Sequence, residues 1–170
     1  EHARTMFAGF NGVLKVDGYD GYNGLADPVR AGGPVTLAYC WSHSRHRFYP
    51  LAKRGNAPIP YPALDKIGAL YGIEAEVRGQ SADTRRAVRQ ERTRPLVDAL
   101  KMWLGEQLAK LPRSSETAEA IRYGTNHWNG LTCFLGDGCI EIDSNTVERS
   151  IRPIAMTESF CTSFVSAWKH

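Results

Sequence analysis

Nowhere in these 170 residues do 18 apolar side chains run together, and the N-terminus lacks the apolar core of a signal peptide. The first absence argues against a membrane-spanning helix and the second against a secretory leader, so the chain is expected to be soluble and intracellular. Cysteine is scarce: Cys40, Cys133, Cys139 and Cys161 include no CxxC pair, which argues against a disulfide framework. Cys40-x-x-His43 and Cys133-x5-Cys139 can be assembled into a zinc site on paper, but neither half has finger spacing, and buried free thiols are the alternative. There is no internal repeat and no low-complexity segment. One-sided charge is missing as well. With 21 basic and 18 acidic residues the net charge of +3 is too mild to demand a nucleic-acid partner.

What remains is a globular composition, 42% hydrophobic and 23% charged, on a chain long enough for one domain or for a domain with a large insertion. Charge is distributed unevenly. Arg85, Arg86, Arg89, Arg92 and Arg94 crowd together, a basic helix face able to meet a phosphate backbone. The alternative is a solvated face, with Asp83 and Glu91 interspersed.

Residues 1–41 read as β-rich. Gly12-Val13-Leu14-Lys15-Val16-Asp17 is an extended run stopped by Gly18, and Pro34 to Trp41 is a second apolar run of β-formers. Between them the glycines and Asp27-Pro28 suit an irregular loop or a short broken helix. From Pro62 the period changes. Leu64, Ile67, Leu70 and Tyr71 keep helical spacing; Leu96, Leu100, Trp103, Leu104, Leu108 and Leu111 do so again after Pro95; Ser114 or Ser115 caps a third run through Ile121, Trp128 and Leu135, which Gly130 interrupts only mildly. Beyond it, Ile140 and Ile142 alternate with Glu141 and Asp143 like a short extended segment. Asn145 then fits a helix N-cap with Glu148 three residues on.

Two acids stand out by context. Asp17 lies where an apolar strand meets a glycine turn, and Glu148 lies in a first helical turn followed by Arg149 and Arg152. Brought together they would make a hard oxygen site for Mg²⁺ or Mn²⁺ suited to phosphodiester cleavage, with arginines holding phosphate nearby. Each has a structural alternative: Asp17 as a turn residue, and Asn145 with Glu148 as a capping box. Residue chemistry alone leaves both readings open.

At these same positions the chain resembles the Insertion Sequence 66 family of bacterial transposases. Asp17-Gly18-Tyr19-Asp20-Gly21-Tyr22 resembles its DGYxGY motif, and Cys40-Trp41-Ser42-His43-Ser44-Arg45-His46-Arg47-Phe48 resembles CWxHxRRxF. Leu70-Tyr71, Ile73-Glu74, Arg89-Gln90-Glu91-Arg92, Trp103-Leu104, Ala120-Ile121, Tyr123, Trp128 and Phe134-Leu135 follow the family's helical region. Ile142 to Pro153 resembles IDNNxxERxIRP. The likeness spans about residues 9–156.

The resemblance implies an α/β fold: a partial ribonuclease-H-like core with an incomplete sheet and a large all-helical insertion. The implied divisions are core strands over 1–61, helical insertion over 62–135, a return to the core over 136–156, and a divergent tail over 157–170. It implies a DDE-type enzyme of a mobile element, cutting and joining DNA in transposition and recombination through Mg²⁺ or Mn²⁺. Asp17 matches the second catalytic Asp and Glu148 the closing Glu, both as metal ligands, 131 positions apart. Arg45, Arg85, Arg86, Arg89, Arg149 and Arg152 are the implied DNA contacts, with His43 a further candidate. The implied partners are element ends, target DNA and further copies of the chain, with no membrane, in the bacterial cytoplasm at the nucleoid. Departures from the pattern set a further expectation. No aspartate precedes Asp17, Ser144 and His46 replace an Asn and an Arg, and the tail after Met156 leaves the pattern. A truncated, inactive copy is therefore expected. The alternatives are a non-catalytic helical DNA-binding module using residues 85–94, and a structural domain with zinc on Cys40, His43, Cys133 and Cys139.

Overall fold

The computed structural model describes residues 2–55 and 57–144. A short opening helix, α1 (His2–Met6), precedes strand β1 (Val13–Val16); the sequence pattern had not signalled α1. β1 pairs in parallel with β2 (Thr36–Tyr39), in register from Val13 opposite Thr36 to Val16 opposite Tyr39. A parallel pair needs a long crossover. Here residues 17–35 supply it without an α-helix, through a 3-10 turn over Asp20–Leu25. Leu25, with no exposed surface, pins that crossover against Val16, Val35 and Leu37 in a small core of its own.

The larger core is helical. α2 (Trp41–Lys53) buries Trp41, Ser44, Phe48 and Ala52, one stripe at 3-and-4 spacing. Trp41 is anchored at both ends of its chemistry, its ring edge-on to Trp128 and its indole N–H donating to Leu131 O at 2.7 Å. α3 (Pro60–Glu76) opens with proline in its first turn, where no intrahelical donor is lost, and α5 (Arg94–Leu108) carries Pro95 in its first turn. Between them lie α4 (Ala82–Val88), capped by Ser81 Oγ accepting from Thr84 N at 3.2 Å, and one π-helical turn over Arg89–Thr93. α6 (Glu116–Asn126) starts at Ser115, whose Oγ accepts from Ala118 N. Ile67, Leu70, Leu100, Leu104 and Ile121 from these helices meet Trp41 and Phe48 of α2 in one continuous cluster. α2 precedes residue 62, so the packing unit is wider than the helical stretch read from the sequence. No helix among the described residues is long and apolar enough to cross a membrane.

Two sequence expectations are corrected here. The third helical run does not continue to Leu135. It breaks at His127, whose Nδ1 engages Tyr123 O at 2.8 Å, and resumes as α7 (Trp128–Thr132) and a 3-10 turn over Cys133–Leu135. Gly130, read as a mild interruption, is the point where α7 meets β2. A Cβ there would stand 2.2 Å from the Tyr39 ring and 2.5 Å from Leu37 O. Nor do Ile140 and Ile142 form a strand: this segment is turned, and a backbone bond from Trp41 N to Ile142 O ties it to the start of α2. Among the described residues, a two-stranded parallel sheet and the surrounding helices make a mixed α/β fold.

Candidate active site

In parallel sheets the crevice beyond the carboxyl ends of the strands collects functional groups. Asp17 occupies that position, one residue past β1. It is half-buried; its Oδ1 accepts from Tyr19 N at 3.1 Å, and its main-chain O accepts from the Tyr123 hydroxyl at 2.9 Å. The next residue must be glycine for two reasons. Gly18 has φ +95°, and a Cβ on it would lie 2.5 Å from Tyr123 Oη. Tyr123 in turn carries the Arg47 guanidinium 4.1 Å above its ring centre. Burial pushes the Tyr123 phenol up to about 12; Arg47 pulls the other way and Asp17 adds to the rise. The folded value lies above the ordinary 10.0, so this residue's contribution to stability is complete below pH 10 and is lost as pH climbs toward 12. Stability is therefore expected to fall with pH across that window. Urea unfolding of Tyr123→Phe from pH 9 to 11 is expected to show a shallower decline than the parent chain.

The chain returns to this edge from the helices. Ser144 donates to Cys40 Sγ from its backbone N at 3.4 Å and from its hydroxyl at 3.3 Å, and Lys15 Nζ of β1 donates to Glu141 O. Cys40 directly follows Tyr39, the partner of Val16, so Ser144 arrives at the level of Asp17. Burial pushes the Cys40 thiol up, but hydrogen bonds with His43 and Ser144 outweigh it and leave the thiol below its ordinary range. Lys15 is lowered by burial, against the raising influence of Cys40, Cys133, Asp143 and Glu141. Tyr71 is raised, first by burial and then by the charge of Asp143.

The arginines expected to meet DNA divide sharply. Arg89 has no exposed surface; its Nε and Nη2 each reach a Glu74 carboxylate oxygen at 2.7 Å, and its Nη1 donates to Phe134 O and Asp137 O. As a DNA contact Arg89 is corrected: every edge of its guanidinium faces the protein. Arg85, 12% exposed, bonds Glu141 at 2.7 Å and lies 3.7 Å from Glu74, so it too faces inward. Exposed Arg92 pairs with Glu76. The clustered arginines therefore mostly hold helices together, because acids from α3 and from residues 137–141 come to them; Arg86 remains exposed. Arg45 is exposed on α2, its guanidinium 5.8 Å from the Tyr49 ring. Glu148, Arg149 and Arg152 lie outside the described residues, as does the tail over 157–170.

The zinc alternative is also corrected. Among the described residues no three His, Cys, Asp or Glu side chains converge as metal ligands; Cys133 donates to Gly130 O, and Cys139 is exposed. For a harder ion the donor chemistry at Asp17 does fit: Oδ1 holds one N–H, and Oδ2 has no hydrogen bond among the described residues. Two members of this edge were missed from sequence. Arg47 sits in the same CWSHSRHRF run as Arg45, and His43 and Arg47 share a stripe of α2 by spacing, in line with Cys40 just before it. Tyr123 was legible only as a helical aromatic, since its bond to Asp17 crosses 106 positions.

The sequence model described as Transposase IS66 family matches residues 1–169. Three proteins of Sinorhizobium fredii (strain NBRC 101917 / NGR234) are similar. Uncharacterized protein y4jD is 41% identical over 157 residues, covering 91% of this chain and 31% of its own length. Uncharacterized protein y4hP is 36% identical over 168 residues, covering 92% and 30%. Uncharacterized protein y4qI is 42% identical over 153 residues, covering 88% and 28%. The chain thus spans about a third of the length of these relatives. No solved structure matches it.

Proposed function

The chain belongs to the IS66 transposase family, and from that premise we propose that it carries two carboxylates, Asp17 and Glu148, of a metal-dependent DNA cleavage and strand-transfer centre. One observation carries the reading: Ser144 is bound to Cys40 beside the carboxyl end of β1, four positions before Glu148. Four residues span at most about 14 Å extended, or about 6 Å as helix. Glu148 is thereby within reach of Asp17 although the two lie 131 positions apart. The parallel strand pair, an acid at its carboxyl end, and a helical stretch whose far end returns to that edge all agree with a ribonuclease-H-like core bearing an insertion.

Asp17 and Glu148 would hold Mg²⁺ or Mn²⁺, which when bound lowers the pKa of an attacking water or 3′-hydroxyl and stabilises the leaving oxygen. The chain's other groups bind and orient. Tyr123 fixes the Asp17 backbone, and Gly18 leaves room for it. Arg45 and Arg47, neither with a carboxylate in ion-pair distance among the described residues, offer donors to DNA phosphate. Arg86, Arg149 and Arg152 complete the proposed DNA contacts. The partners are element ends and target DNA, with self-association in the assembled complex, at the bacterial nucleoid.

A third acid is needed for a fully ligated pair of ions, and the proposed centre takes two from these 170 residues, Asp17 and Glu148. The 170-residue polypeptide is therefore expected to bind Mn²⁺ through Asp17 and Glu148 yet leave element-end DNA uncut. Mn²⁺ titration followed by electron paramagnetic resonance checks the first half, with binding lost in both Asp17→Asn and Glu148→Gln. Retention of full Mn²⁺ affinity in both variants would remove the proposed site; robust nicking abolished by Asp17→Ala would overturn the expected inactivity.

A further inference from the structure

We propose that Tyr19 and Arg47 form a stacking-and-phosphate platform for unpaired nucleotides at a cut DNA end, directly beside Asp17. The proposal rests on the reading above and specifies the form of DNA that the site takes. Tyr19 is 65% exposed, whereas Tyr22 of the same motif packs against the small core. Tyr19 is also held rather than loose. Its backbone N–H is bound by Asp17 Oδ1, and its ring meets Tyr22 edge-on with centres 5.8 Å apart. It runs so close over Gly21 that a Cβ there would lie 2.2 Å from a ring carbon. The second glycine of DGYDGY thus leaves room for an aromatic ring turned to solvent, two residues from the candidate catalytic carboxylate.

Arg47 supplies the complementary charge. It is exposed, has no carboxylate in ion-pair distance among the described residues, and is seated on Tyr123, which is itself bonded to Asp17 O. A fixed aromatic face with a fixed guanidinium is the chemistry that takes successive bases and their phosphates. Inside a duplex the base faces are already stacked on one another, so the ring favours unpaired nucleotides, whose faces are open. Asp17 and Asp20 flank Tyr19 and would repel phosphate, so binding should strengthen when a divalent ion neutralises them.

The test uses the 170-residue chain, Ca²⁺ as a non-cutting ion, and two DNA probes of equal duplex length, one blunt and one with a three-nucleotide single-stranded tail carrying 5-iododeoxyuridine. The tailed probe is expected to bind more tightly than the blunt one, and ultraviolet light to crosslink it to the tryptic peptide spanning residues 16–30. Tyr19→Leu should reduce tailed-probe affinity about tenfold and leave blunt-probe affinity unchanged, and Tyr19→Trp should restore it. Arg47→Leu should weaken the tailed complex and flatten its salt dependence. Equal affinity for the two probes, or a Tyr19→Leu chain binding like the parent, overturns the platform while leaving the cleavage-centre reading in place. Failure to bind either probe with Ca²⁺ present sinks both.

Discussion

Methionine in place of Arg89 is expected to destabilise the fold by about 3–5 kcal/mol, the range found when one partner of a buried ion pair is removed. Arg89 lies at the junction of three segments. Its Nε and Nη2 both end on Glu74 of α3 at 2.7 Å, and its Nη1 reaches the main-chain oxygens of Phe134 and Asp137. Methionine fills a comparable volume but leaves Glu74, only 6% exposed, with Arg85 at 3.7 Å as its remaining ion-pair partner. It also takes one donor from each of two carbonyls, Phe134 O and Asp137 O, the second of which keeps Ile140 N. The penalty is mostly that of an uncompensated charge, so adding Glu74→Met to Arg89→Met should recover a large part of it. Urea unfolding of the parent, the single and the double variants measures both effects. A single variant within 1 kcal/mol of the parent would show that the guanidinium is not holding the junction. The junction matters to the site because residues 137–144 run from it to Cys40.

Asp17→Asn is expected to reduce divalent-dependent DNA cutting roughly 10³-fold when this segment is placed in a chain of its relatives' length that bears all three acids. The substitution is chosen to separate chemistry from folding. An asparagine Oδ1 still accepts from Tyr19 N, and the main-chain bond to Tyr123 is untouched, so unfolding should change little. What is lost is the negative charge of the proposed metal ligand. Single-turnover nicking of element-end DNA at several Mn²⁺ concentrations is the measurement. Excess Mn²⁺ should restore part of the rate if affinity is the main loss, whereas cutting within tenfold of the parent at all concentrations would remove Asp17 from the centre.

Much of the local structure was legible before folding. The run from Val13 to Val16 and the β-formers from Thr36 to Tyr39 are strands, Pro95 lies in the first turn of α5, and Ser115 caps α6. Each depends on neighbours within a few positions, which is why a one-dimensional pattern carries it. The arginines of 85–94 show where that stops. Their spacing describes a basic helix face and says nothing of Glu74 and Glu141, which turn Arg85 and Arg89 inward. His127 shows the same limit: it closes α6 with its ring bonded to Tyr123 O and tilted against both Tyr39 and Tyr123, where periodicity would continue the helix.

The motif series by itself determined the family and singled out Asp17 and Glu148, since these are properties of residue identity and order. Only the tertiary structure decided what surrounds Asp17: Tyr123 from 106 positions away, Arg47 seated on it, and Ser144 tied to Cys40 at the same level. The physical reason is that a hydrogen bond or a ring contact acts over a few ångströms in space, whatever the separation along the chain. Which distant groups come that close is settled by how the helices pack around Trp41 and Phe48.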